Sequence, residues 1–167
     1  MWLSTENGLL TEGEKQYLDE IISDFETNRV PGPINAYNQH VLPSDTKELS
    51  GLLETLKQTI LGTDTINKDV VLLEMFVNYV QPETNKNDPL HEDLARFSTI
   101  TFLNDDYEGG DLEVEYKNIK RIEPEAGKTV IIEGSKIKHR VLPVLKGHRF
   151  TFVTFWEVVH KTQQTLM

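Results

Sequence analysis

The chain has 167 residues, of which 38% are hydrophobic and 26% charged, enough for one domain with a sizeable core. Seventeen Lys and Arg against 27 Asp and Glu give a formal net charge of −10, which disfavours binding along a phosphate backbone. There is no cysteine, so disulfides, thiolate metal sites and cysteine nucleophiles are excluded.

The N-terminal stretch Met1–Glu6 lacks a basic region and an apolar region of signal-peptide type. No apolar run approaches the roughly 20 residues that span a bilayer. The expectation is a cytoplasmic protein with neither nucleic acid nor membrane as partner.

The predicted elements run from helices to strands. Thr11-Glu12-Gly13-Glu14 has the form of a capping box, and Tyr17, Leu18, Ile21, Ile22 and Phe25 follow at helical spacing. Asn28 to Pro33 breaks that helix. A second helix is predicted from Ser44, with the stripe Leu49, Leu52, Leu53, Leu56 and Ile60, ending at Gly62. This helical support covers about residues 1–65.

From about 69 to 160 the texture is that of strands. Runs at Val70–Val80, Phe97–Leu103, Asp111–Tyr116, Thr129–Ile132, Lys136–Val141 and Arg149–Val159 are separated by Gly109-Gly110, Gly127, Gly134 and Gly147. The prediction is a single domain over 1–167, mainly β with flanking helices packed outside a curved antiparallel sandwich or barrel. The polar tip Gln81–Pro89 is a candidate lid.

Within this frame the segment His91-Glu92-Asp93 places an imidazole and a carboxylate on one side of an extended chain. They form half of a metal site, and His40, His139, His148 and His160 are the candidates to complete it. Two histidines and one carboxylate on one face of Fe(II) leave positions open, as in non-haem iron oxygenases. Such a site takes a 2-oxo acid whose far carboxylate needs a fixed cation. Arg149 is placed for this beyond the Pro143–Gly147 turn, with Thr151 on the same strand face.

Four pieces in order then resemble the Fe(II)- and 2-oxoglutarate-dependent dioxygenases, specifically the prolyl 4-hydroxylase-like branch. They are Tyr79 at a strand end, His91-Glu92-Asp93, the stretch Thr101–Leu112 with its Leu-Asn and Gly-Gly, and Pro124–Lys128 followed by His139–Val144 and Gly147-His148-Arg149. The resemblance covers roughly residues 70–157. It implies a double-stranded β-helix, a jelly roll of cupin-like type. It implies His91, Asp93 and His139 as ligands of Fe(II), and Arg149 as the anchor of 2-oxoglutarate, assisted by Tyr79, Thr151 and Thr101. Thr101 stands where some relatives direct a tyrosine at the co-substrate, so the hydrogen bonds there can differ.

The family's reaction consumes O2 and 2-oxoglutarate, releases succinate and CO2, and hydroxylates an unactivated C–H bond. Some relatives need ascorbate. The expected substrate is a prolyl residue of a peptide or protein; the alternatives are a free amino acid or other small molecule, or a jelly roll that only binds a ligand.

Plainer readings stand beside these. His91 with Asp93 could be a surface pair, Arg149 could pair with a surface acid, and Tyr79 could be core with a wet hydroxyl. His40 and His160 are expected to be ordinary surface residues, His148 a solvated or packing residue, and Trp156 outer packing. Asp105, Asp106, Glu108, Asp111, Glu113 and Glu115 read as a turn and a solvated strand face rather than a calcium site.

Overall fold

A computed structural model of the chain describes residues 3–26, 39–62, 68–82 and 88–160. Helix α1 (Glu12–Glu26) opens on the anticipated capping box. The Thr11 amide donates to Glu14 Oε1 at 2.8 Å and the Glu14 amide to Thr11 Oγ1 at 3.2 Å. Such a cap contributes about 1 kcal/mol. Helix α2 (Ser50–Leu61) begins later than Ser44, because the Pro43 carbonyl accepts from both the amide and the hydroxyl of Thr46 and a 3-10 turn (Lys47–Leu49) intervenes. Leu52, Leu56 and Ile60, four apart, are its buried face. The Phe25 side chain and the break at 28–33 lie outside the described residues, as do residues 83–87 of the candidate lid.

Eleven strands are described: β1 (Leu3–Asn7), β2 (Gln39–Leu42), β3 (Lys68–Val80), β4 (Phe97–Phe102), β5 (Glu108–Gly109), β6 (Leu112–Tyr116), β7 (Asn118–Ile122), β8 (Lys128–Ile132), β9 (His139–Val141), β10 (Val144–Lys146) and β11 (Arg149–His160). The large antiparallel sheet has the order β1-β8-β4-β11-β3-β2. Facing strands form a β7-β6-β9 sheet and a β10-β5 pair. This is the expected jelly roll.

Strand alternation divides the core in two. Met75, Val77, Phe97, Ile131, Phe150, Phe152 and Trp156 pack against Leu18, Leu52, Leu56 and Ile60 of the helices. Phe76, Ile100, Phe102, Val130, Ile132 and Val153 pack inward against Leu112, Val114 and Ile137. Each such side chain, fully buried, contributes about 1.5–3 kcal/mol. In β3 the register with β11 jumps from Phe155–Glu74 to Trp156–Leu72, so that Leu73 has no cross-strand partner and is 55% exposed. This bulge flips the alternation and lets Val70 and Leu72 share the helix side with Met75 and Val77.

Several expectations are corrected. The N-terminal part is not purely helical, since β1 and β2 form the two edges of the large sheet. The strand expected from Lys136 starts at His139, because the amides of Lys136 and Ile137 both close a turn onto the Glu133 carbonyl. His40 is 6% exposed, a core residue rather than a surface one. Trp156, by contrast, packs between sheet and helices, the outer packing expected of it. Glu113 is not solvated: Arg140 covers it with hydrogen bonds from Nε at 2.9 Å and contact from Nη2 at 2.8 Å.

Candidate active site

The site begins at a backbone exchange. The His91 amide donates to the His139 carbonyl at 3.1 Å and the His139 amide returns to the His91 carbonyl at 2.9 Å. Directly opposed residues of an antiparallel pair send their side chains to the same side. The two imidazoles accordingly face each other with ring centres 4.7 Å apart. Each ring is oriented from behind: Nδ1 of His91 lies 2.8 Å from the Pro89 carbonyl, and Nδ1 of His139 lies 2.8 Å from the Ile137 carbonyl. A carbonyl only accepts, so the proton sits on Nδ1 and the Nε2 lone pairs are left for a ligand.

Asp93 enters from the same segment. Its amide donates to the Gly134 carbonyl at 2.8 Å, which fixes the chain against the turn that follows β8. Its Oδ2 lies 3.0 Å from His139 Nε2 and accepts from Ser98 Oγ at 2.6 Å, and its Oδ1 lies 3.6 Å from His91 Nε2. Ligand atoms from His91, Asp93 and His139 all fall within 4.8 Å of one another. Among the described residues this is the one such group; the acidic residues at 105–115 assemble none. Gly134 is required by close approach, since a Cβ there would stand 2.4 Å from Ser98 Oγ and 2.8 Å from Asp93 Oδ2.

The electrostatics suit a cation. Burial raises the Asp93 carboxyl, but hydrogen bonds from His139 and Ser98, with the His139 charge, outweigh it and hold the group below its ordinary value. Burial lowers the His139 imidazole, but Asp93 and the Ile137 carbonyl outweigh it and raise the net value. Without metal, each of the two therefore favours the charged form of the other. His139 is buried, whereas the His91 side chain is 40% exposed, so the group opens to solvent on the His91 side.

The inward face of β4 runs from Ser98 through Ile100 to Phe102, and Arg149 lies over the Phe102 ring at 5.5 Å. Arg149 is 1% exposed. Its Nε donates to the Gly110 carbonyl at 3.0 Å, and Nη1 approaches Thr151 Oγ1 at 3.5 Å. Nη2 is buried with no hydrogen-bond partner among the described residues. Burial pushes this guanidinium below its usual value. Asp88 and Asp111 act on it only from a distance, and a buried cation without a close carboxylate is costly by several kcal/mol. An interior that fixes such a cation is chemically suited to an anion.

Sequence-predicted residues divide at this point. The structure brings together His91, Asp93 and His139, and separately Arg149 and Thr151. It does not bring Tyr79 or Thr101 to Arg149. Tyr79 is in register with Phe150 and stacks on it at 5.1 Å on the helix side, with its hydroxyl donated to Gln81. Thr101 is in register with Phe152 and bonds Thr129 at 2.8 Å, also on that side. Both miss the cavity by strand parity. His148 is exposed and sits edge-on to Tyr79. Tyr107, in the turn before β5, is half-buried beside Arg149, with its hydroxyl oxygen buried. Its one sequence signal is an aromatic residue in an otherwise polar turn before Gly109-Gly110.

Residues 75–157, which contain all of these groups, match the family model of the 2OG-Fe(II) oxygenase superfamily. The chain belongs to that superfamily. As such it is a 2-oxoglutarate-dependent oxygenase that uses Fe(II). Solved structures share the oxygenase's fold at low identity. A prolyl-4-hydroxylase of Pseudomonas putida superimposes with a TM-score of 0.67 at 17% identity, over 93% of this chain and 91% of that one. A viral collagen prolyl hydroxylase from Paramecium Bursaria Chlorella virus-1 gives 0.68 at 14%, over 93% and 89%. A 2OG-Fe(II) oxygenase-family oxidoreductase from Burkholderia pseudomallei gives 0.69 at 12%, over 93% and 84%. No curated protein sequence matches the chain. Among the described residues no helix is long and apolar enough to cross a membrane.

Proposed function

We propose that the oxygenase hydroxylates a prolyl residue of a peptide or protein, with Fe(II) held by His91, Asp93 and His139 and the distal carboxylate of 2-oxoglutarate held by Arg149 and Thr151. The observation that carries the site is the pairing of an oriented two-histidine, one-carboxylate group, tied to Ser98 of β4, with a buried guanidinium nitrogen of Arg149, which lies over Phe102 on the same inward face of β4. The donor set fits Fe(II), and the orphaned Nη2 fits an anionic co-substrate. When bound together, Fe(II), 2-oxoglutarate and O2 supply the oxidant that converts C–H to C–OH, with succinate and CO2 as the other products.

The chain's own residues do the positioning. The Pro89 and Ile137 carbonyls hold the two imidazoles by Nδ1, and Ser98 holds the carboxylate. Arg149 sets the depth of the co-substrate. The substrate enters on the His91 side, where the group is exposed. Supporting the prolyl assignment are the two prolyl hydroxylases among the structures that share the fold; their low identity makes the substrate the part to test first.

The test is an anaerobic titration of the metal-free protein with Fe(II) and then 2-oxoglutarate, following the visible band of a chelated 2-oxo acid, with His139→Ala in parallel. The expected result is a band in the wild type that the variant lacks. Proline-containing peptides then gain the mass of one oxygen under air. Binding without any peptide product, and with product from a free amino acid, would overturn the prolyl assignment.

A further inference from the structure

Tyr107 is packed where a surface turn residue has no reason to be. A Cβ placed on Gly110 would meet Tyr107 Cε2 at 2.9 Å and Arg149 Cδ at 3.0 Å, and one on Gly147 would meet Tyr107 Cβ at 3.0 Å. Two glycines thus open the slot that holds the ring against the stem of Arg149, and Gly110 adopts φ +72 to do so. At the end of that slot the Tyr107 hydroxyl and Arg149 Nη2 are buried without a well-formed hydrogen bond among the described residues, and the two side chains lie close enough for each to act on the other. A buried hydroxyl left unsatisfied costs roughly 1–3 kcal/mol, so two such groups side by side need a chemical reason.

Burial pushes the phenol up to about 12, and the nearby Arg149 charge offsets this only in part. The hydroxyl therefore stays protonated under any working condition and can donate. A guanidinium N–H also only donates. Two convergent donors, one of them cationic, are complementary to an acceptor with two oxygens and a negative charge.

We propose that Tyr107 is a second anchor of the co-substrate: its hydroxyl donates to the distal carboxylate that Arg149 Nη2 binds. The hydroxyl expected from Tyr79 or Thr101 is thereby supplied from the β4–β5 connection instead. This rests on the co-substrate reading proposed above and adds to it a selection by length. A 2-oxo acid with a second carboxylate reaches both donors, and a monocarboxylic 2-oxo acid leaves both unmet.

The experiment measures equilibrium binding of 2-oxoglutarate and of 2-oxobutyrate to the anaerobic Fe(II)-loaded protein, in the wild type, Tyr107→Phe and Arg149→Met. Tyr107→Phe should weaken 2-oxoglutarate about tenfold, the scale of one hydrogen bond to a charged group, and leave 2-oxobutyrate unchanged. Its melting temperature without co-substrate should be unchanged or higher, because it removes a buried unpaired hydroxyl. Equal weakening of both acids, or of neither, overturns the assignment. If Arg149→Met loses the preference for 2-oxoglutarate while Tyr107→Phe keeps it, the co-substrate reading stands and Tyr107 alone is excluded. If the wild type binds Fe(II) but neither acid, both readings fall. Should Tyr107→Phe not fold, 3-fluorotyrosine placed at position 107 of the Zn(II)-loaded protein gives the answer. Its fluorine resonance should move with 2-oxoglutarate and not with 2-oxobutyrate, and an unmoved resonance overturns the proposal.

Discussion

Ser98 and His139 converge on one oxygen of Asp93: Ser98 Oγ lies 2.6 Å and His139 Nε2 3.0 Å from Oδ2. The serine hydroxyl has no role as a ligand in this arrangement, yet it fixes the direction in which the carboxylate presents its lone pairs. Ser98→Ala should weaken metal binding about 10- to 100-fold, the usual cost of removing a group that orients a ligand. Competition between the protein and a chromophoric chelator for Zn(II) would measure it; an unaltered affinity would show that Asp93 is oriented by its backbone alone.

Gly134→Ala tests the same corner sterically. The added methyl would meet both Ser98 Oγ and the Asp93 carboxylate closer than real Cβ contacts allow. Metal affinity should fall at least tenfold, with a stability loss of about 1–3 kcal/mol as the turn shifts. Chelator competition and urea unfolding of the same sample separate the two effects.

Arg149→Met replaces a buried guanidinium by an uncharged chain of similar length. In the absence of co-substrate the variant should be as stable as the wild type or more so, because it removes a fully buried cation that Asp88 and Asp111 offset only from a distance. Affinity for 2-oxoglutarate should fall by about 2–5 kcal/mol, or roughly 30-fold and beyond. Metal binding should persist, since none of the three ligand side chains touches it. Thermal unfolding with and without 2-oxoglutarate reads both signs.

The Asp93–His139 pair makes the stability of the metal-free protein depend on pH in a defined direction. The Asp93 value is depressed, so its contribution is present above the unfolded carboxylate range and is lost as pH falls through the folded value. The His139 value is raised, so its contribution is complete below the unfolded imidazole value and is lost as pH rises through the folded one. The pair therefore stabilises most between about pH 4 and 6.5. The melting temperature should decline on the alkaline side of that window without metal, and saturating Zn(II) should remove the decline by taking the place of the proton. Asp93→Asn should flatten the metal-free profile.

What was legible in the sequence follows the range of the interactions involved. The capping box at Thr11 and Glu14 is a contact between residues three apart, and the structure contains it as read. The spacing of His91 and Asp93 and the position of Arg149 after a turn are likewise local, and the structure groups the first two with His139 and buries the third. Tyr79 and Thr101 were misplaced because the face of a strand residue depends on its register with β11, and that register is set by distant pairings. One residue of error exchanges the cavity for the helix side. The edge strands β1 and β2 were missed because a short polar run such as Leu3–Asn7 becomes a strand only through its partner β8. Glu113 was misread because nothing in its neighbourhood announces that Arg140, across the β6–β9 pairing, will cover it. Tyr107 was not legible in the sequence, since two glycines on separate turns create its slot.

The backbone exchange between His91 and His139 also bears on how the molecule is assembled. Its two partners close a long stretch of chain that contains β4 through β8, so the pairing bears the closure entropy of that whole stretch and is expected late in folding. A metal ion has therefore no early nucleus to organise. It would act as a clasp on a nearly finished barrel, slowing escape from the native state more than hastening arrival. Added Zn(II) should lengthen the unfolding time in denaturant while leaving the refolding rate close to that of the metal-free chain.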